Sequence, residues 1–152
     1  MQFTIESIAV VSNSRTEAAD DQWSSITSEI LLNDNISPET FWGLKEFSHL
    51  EILFVFDKAD PDKVIYTAQH PRENPAWPKA GIFAQRKKDR PNHIGSTIVE
   101  LLEVKETVLL VKNLDAIDGT PIIDIKPVMK EFLPKTEVKQ PQWATELMKN
   151  YW

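Results

Sequence analysis

GIFAQRKKDRPNHIGSTIVELLEVKETVLLVKNLDAIDGTPIIDIKP, residues 81–127, holds three of the chain's four glycines and two of its four arginines. Glycine is needed where φ is positive or where a ligand must approach the backbone closely. A chain this poor in Gly that gathers it into one segment is expected to build special turns there. Between the turns the pattern is that of strands. Ile98 to Val104 and Val108 to Val111 read as a hairpin around Lys105-Glu106-Thr107, and Ile122 to Ile125 and Gly81 to Gln85 as short strands. The turns themselves carry Arg, Asn, Asp and Lys, so the segment reads as a site as well as a corner.

Outward from this segment the strand pattern continues. Phe3, Ile5, Ser7, Ala9 and Val11 alternate with Ile8 and Val10, and Ile26 to Leu32 alternates again. Ser37-Pro38-Glu39 starts a short helix, with Ser as N-cap and Pro at the first helical position. Leu50 to Phe56 is a near-continuous apolar run, expected to be a strand buried on both faces. Val64 to Ala68 reads as a strand, and the prolines at 71, 75 and 78 mark a long irregular loop. Trp143, Leu147 and Tyr151 have helical spacing, so a C-terminal helix is expected. The fold class is therefore mainly β, one compact barrel or mixed sheet over residues 1–152, with few short helices.

Composition narrows the function. There is no Cys among the 152 residues, which excludes disulfides, thiolate-ligated zinc and a Cys nucleophile. The three histidines stand apart, so no metal site is expected. No G-x-G-x-x-G, Walker loop or G-x-S-x-G is present. No apolar run has the length of a membrane span and no signal peptide is apparent, so the expected location is the cytoplasm. The net charge of −6 argues against general nucleic-acid binding. Yet Lys79, Arg86, Lys87, Lys88 and Arg90 fall in one short window, with Arg72 just upstream; this is either a phosphate-binding loop or a solvated one.

Two constellations carry chemistry. In Arg86-Lys87-Lys88-Asp89-Arg90-Pro91-Asn92-His93-Ile94-Gly95, a rigid turn is flanked by two guanidinium forks suited to carboxylate or phosphate. A tight turn with Arg90 paired to an Asp would explain the same residues. In Leu114-Asp115-Ala116-Ile117-Asp118-Gly119-Thr120-Pro121, followed by Ile122 to Pro127, Asp118-Gly119 is a turn signal. Asp124 and Lys126 share one strand face there. A polar-ligand site and a hairpin turn with a surface ion pair both fit.

The ordered motifs Gly43-Leu44 with Phe47-Ser48-His49-Leu50, His70-Pro71-Arg72-Glu73-Asn74, and the two constellations resemble the TrmO (TsaA-like) family from about residue 5 to residue 133. The resemblance implies a non-Rossmann β-barrel that binds S-adenosylmethionine. It also implies a homodimer with the site near the interface, and methylation of N6-threonylcarbamoyladenosine at N6 in tRNA. Carried over, the cofactor contacts fall on Asp57, Lys58, Arg86, Ser96 and Leu114, Asp115, Ala116 and Ile117, the last four through main chain. Asp118 and Asp124 are the candidate proton acceptors. Arg90, Asn92 and Lys126 are the candidate acceptor-binding residues. A regulatory barrel that senses the cofactor, and a methyltransferase for a small molecule, remain as rival readings.

Overall fold

The computed structural model describes all 152 residues. Strands β1 (Ala9–Ser12), β2 (Thr27–Leu32), β3 (His49–Val55), β6 (Ile94–Val104), β7 (Val108–Lys112) and β8 (Pro121–Pro127) close a barrel in the order β1-β2-β7-β6-β3-β8. A separate two-stranded sheet pairs β4 (Ala68–Gln69) with β5 (Ala80–Gly81). All the pairings are antiparallel, so each strand offers one face to the interior and one to the outside.

That alternation corrects the expectation for residues 50–56. Leu50, Ile52 and Phe54 are fully buried, whereas Glu51, Leu53 and Val55 point outward and are only half-buried. A barrel has a single interior, so the apolar run is not covered on both sides. The inward residues join Val11, Ile30, Val99, Leu109, Val111 and Ile122 in one core. Each such side chain contributes roughly 1.5–3 kcal/mol by leaving water.

Two irregularities shape the barrel. Leu53 pairs with Asp124 but Phe54 pairs with Ile122, so Ile123 is an extra residue in β8. This bulge turns Ile125 inward and leaves Asp124 and Lys126 on the outer face. On β6, Leu101 pairs with Val111 and Glu103 with Leu110, leaving Leu102 as the extra residue.

Elsewhere the elements are shorter than the sequence pattern implied. The first ladder begins at Ala9, and Phe3 and Ile5 are exposed. Ser37 caps a 3-10 turn, Pro38–Phe41, by accepting the Glu39 N–H at 3.3 Å. Residues 64–67 are not a strand, because the Ile65 N–H is drawn to the Asp89 carbonyl. Residues 82–84 form a 3-10 turn rather than a strand. No helix is long and apolar enough to cross a membrane.

The C-terminal helix α1 (Gln142–Leu147) runs into a 3-10 turn, Met148–Asn150, and together they act as a strap. The Gln22 and Trp23 N–H groups donate to the Asn150 and Tyr151 carbonyls, both at 2.9 Å. Trp77 Nε1 donates to Glu146 at 2.7 Å. The Tyr151 hydroxyl donates to Asp115. Burial raises the Tyr151 pKa, and the neighbouring Asp115 charge raises it further.

Gly95 lies against Phe54, and a Cβ there would sit 2.4 Å from the ring. Phe54 is fully buried and cannot yield, so Gly95→Ala is expected to destabilise the fold by about 1–3 kcal/mol, read as a lower Tm. The raised Tyr151 pKa makes its stabilisation complete below the unfolded value of about 10 and lost as pH rises beyond it. Thermal melts across alkaline pH should fall more steeply for wild type than for Tyr151→Phe.

Candidate functional site

One mouth of the barrel opens into a cleft of about 140 Å³, lined by Phe54, Phe56, Arg86, Arg90, Ile94, Gly95, Ser96 and Asp115. Phe54 and Phe56, edge to face at 5.2 Å, form its apolar wall at the end of β3. Gly95 and Ser96 belong to β6. Arg86 and Arg90 come from the loop before β6, and Asp115 from the segment between β7 and β8. The two sequence constellations are thus brought together across one opening.

The loop carrying the arginines is held by few contacts. Arg86 Nη2 donates to the Ser96 carbonyl. Arg90 Nη1 donates to the Gln85 carbonyl at 2.9 Å and has no carboxylate within ion-pair distance, so the alternative of a turn held by an Arg90–Asp pair is not what forms. Pro91 leaves Arg90 extended, and Asn92 and His93 both take positive φ, at 66° and 51°. Asn92 is exposed and shapes the turn, and it does not line the cleft.

Asp115 is the carboxylate of the cleft. It accepts the Thr97 hydroxyl on one oxygen and the Tyr151 hydroxyl on the other. Both carboxylate oxygens are therefore already engaged by hydroxyl donors. The adjacent Leu114 and Ala116 side chains are buried in the core. Their main chain is less committed: the Ala116 carbonyl accepts the Asn13 amide at 2.9 Å and the Ile117 carbonyl accepts Thr120 N. The N–H groups of residues 114–117 have no protein partner, and of these four residues Asp115 lines the cleft.

Several of the other expected site residues lie apart from the cleft. Asp57 and Lys58 occupy an exposed turn, where Lys58 Nζ donates to the Asp118 carbonyl at 3.2 Å. Asp118 Oδ1 accepts the Asn13 N–H at 3.0 Å, so this side chain clamps the end of β1. The Asp118-Gly119 turn therefore serves β1 rather than a β7–β8 hairpin, since β8 pairs with β1 and β3. Asp124 and Lys126 form an ion pair on the outer face of β8. Neither candidate base reaches the cleft. Ser96 lines it, with its hydroxyl given to Glu51 at 2.8 Å.

Of the basic window, Arg72 is already engaged. Its guanidinium grips Asp21 at 2.7 and 3.2 Å, and this hydrogen bonding raises its pKa. Thr97 and Tyr151 escaped the sequence reading, because neither sits in a recognisable motif and they meet at Asp115 only through the fold. Arg15, 4.2 Å over the buried Trp23 ring, was also missed. No group of three or more metal-ligating side chains converges anywhere.

Residues 15–132 match the model of the tRNA-methyltransferase O N-terminal domain. The chain is 43% identical over 108 residues to the tRNA (adenine(37)-N6)-methyltransferase of Escherichia coli, covering 67% of this chain and 46% of that one. It is 36% identical over 138 residues to a "Probable S-adenosyl-L-methionine-binding protein" of Methanothermobacter thermautotrophicus, covering 86% and 93%. A crystal structure of TrmO superposes with a TM-score of 0.74 at 26% identity, covering 92% of this chain and 64% of that one. Against the mouse and human relatives named as tRNA (adenine(37)-N6)-methyltransferases, the matched segment spans only 22% and 26% of their length. With the family model matching well over half of its residues and the same barrel found in a solved member, the chain belongs to the tRNA-methyltransferase O N-terminal-domain family.

Proposed function

We propose that this chain is an S-adenosylmethionine-dependent methyltransferase that acts on N6 of N6-threonylcarbamoyladenosine in tRNA. The observation that carries the reading is the cleft: Arg86, Arg90 and Asp115 line it beside an apolar wall, all inside the matched segment. Relatives named for binding S-adenosyl-L-methionine and for methylating tRNA adenine at N6 support it.

The donor set suits the cofactor. Main-chain N–H groups suit the acceptor nitrogens of an adenine, and the Asp115 anion suits hydroxyl or ammonium groups. A cleft of about 140 Å³ is smaller than the ~300–1,000 Å³ of pockets that enclose a small molecule. The cofactor would therefore also use the rim formed by residues 114–117, with Asp57 and Lys58 as outer contacts. Bound there, it would supply an electrophilic methyl group on a sulfonium.

The protein's own contribution is placement. Arg90, free of any carboxylate, is assigned to hold the threonyl carboxylate of the acceptor, and Phe54 and Phe56 exclude water beside it. The N6 proton of the acceptor would leave to solvent. Both Asp115 oxygens already accept hydroxyls, and Asp118 and Asp124 are committed elsewhere. Rate enhancement then rests on orientation. Acting on tRNA, the chain would work in the cytoplasm. A homodimer with its interface near the cleft is part of the proposal, supported by the exposed Ile98, Leu102, Met129, Phe132 and Leu133.

Calorimetric titration with S-adenosylmethionine should show micromolar binding, weakened roughly 10- to 100-fold in Arg86→Ala and in Asp115→Asn. Absence of binding to wild type would end the methyltransferase reading. Transfer of labelled methyl groups to bulk tRNA should survive in Asp118→Asn and Asp124→Asn within a few-fold. Loss of transfer in either, with the fold intact, would restore that carboxylate as the proton acceptor.

A further inference from the structure

The small β4–β5 sheet carries a feature that the cleft does not use. Its ladder pairs Ala68 with Gly81 and Gln69 with Ala80, and the Ile82 N–H extends it by donating to the Thr67 carbonyl at 3.1 Å. The next residues along each chain are Tyr66 and Phe83, so the two rings come to one end of this sheet. They are 78% and 80% exposed, among the most exposed aromatics of the chain, and neither stacks on another ring. Two large rings left in water forgo the stabilisation that burial would give them.

The platform beneath them is firm. Gln85 Nε2 donates both to the Gln69 carbonyl at 3.1 Å and to the Ala80 carbonyl at 2.7 Å, stapling the two strands. The Gln85 carbonyl in turn receives Arg90. The rings are thus presented by a braced turn that leads directly into the arginine loop.

Charge gathers around the same turn. In a chain of net charge −6, residues 79–90 hold five cations and one carboxylate. Lys87 and Lys88 share Asp89 at 3.6 and 3.5 Å, while Lys79, Arg86 and Arg90 have no acidic partner. Aromatic faces beside cations match the two chemical parts of an unpaired polynucleotide, a base that stacks and a phosphate that pairs. A duplex offers no free base face, so it gains only the phosphate contribution.

We propose that Tyr66 and Phe83, with Lys79, Lys87 and Lys88, form a docking surface for single-stranded RNA beside the cleft, stacking the bases that flank the modified adenosine. The proposal rests on the tRNA reading above and names the part of the molecule that would seize the loop.

The test uses the full chain and two synthetic RNAs, a stem-loop with adenosine in its loop and the same stem without a loop, read by fluorescence anisotropy. Wild type should bind the stem-loop more tightly than the duplex. Phe83→Ala and Tyr66→Ala should each weaken stem-loop binding roughly 5- to 100-fold, while Phe83→Trp retains it. Replacing Lys87 and Lys88 by Gln should flatten the log–log salt slope by about 0.7 per side chain. Both rings are exposed, so unchanged Tm would confirm folding of the variants. Equal affinity for stem-loop and duplex, no RNA binding by wild type, or unchanged affinity in both Ala variants would overturn the proposal. So would a halved mass of Phe83→Ala in light scattering with RNA affinity retained, which would make the rings an interface between copies. S-adenosylmethionine binding and methyl transfer by wild type are measured alongside; if they persist while the RNA predictions fail, only the docking surface is lost.

Discussion

Barrel closure depends on β8, which bridges β3 and β1 and so joins the last strand made to the first. It meets β3 over most of its length but β1 through only two registered pairs, Ala9 with Ile122 and Val10 with Pro121. The narrow seam is reinforced beyond the ladder. Ile8 N–H donates to the Ile122 carbonyl at 2.8 Å, Val11 N–H to the Thr120 carbonyl at 3.0 Å, and Gly119 N–H to the Val11 carbonyl at 2.8 Å. Asn13 then ties β1 to Asp118, Ala116 and Ser28 with its backbone and side-chain amides. These bonds fix segment 114–118, and with it the placement of Asp115 in the cleft. The site is therefore a by-product of how the barrel is sealed.

Above the barrel, order is imposed by polar contacts between loops. Arg72 joins residues 70–74 to Asp20 and Asp21, Arg15 covers Trp23, and the C-terminal strap fastens to both regions and to Asp115. Six non-glycine residues adopt positive φ: Gln22, Arg72, Glu73, Asn92, His93 and Asn113. Such backbone carries a strain of order 1–3 kcal/mol per residue and persists only where its surroundings over-determine it. All six lie in these loops or next to the cleft-forming segments, where the network supplies that restraint.

The barrel was legible in the sequence because period-two alternation survives in β2, β6, β7 and β8, and the C-terminal helix because Trp143, Leu147 and Tyr151 share a face. The inner and outer faces of β3 were misread, since Leu53 and Val55 are apolar but point outward. The weak ladder at residues 3–8 and 64–67 was over-read for a related reason: alternation shows compatibility with a strand, not the presence of a partner. Glycine guided the site reading only in part. Gly119 has the expected positive φ of 79° and Gly95 the expected close approach, but Gly81 has neither, and most left-handed positions are held by other residues. Of the residues expected to contact the cofactor, Arg86, Ser96 and Asp115 come together in one cleft. Asp118, Asp124 and Lys126 do not, because the bulge at Ile123 and the clamp on Asn13 are invisible to spacing.

The β1–β8 seam also sets an order of events during synthesis. β1 is made before the other strands of the barrel, yet its second partner lies more than a hundred residues later, at Pro121 and Ile122. Pairing of such separation is slow to form and leaves edges unprotected meanwhile. Until β8 emerges from the ribosome, β1 can rest only on β2, and β3 only on β6. The nascent chain therefore carries two open edges, one rich in Ala9, Val10 and Val11 and the other in Leu50 to Val55, which makes late arrival of β8 the moment of greatest exposure to misassociation.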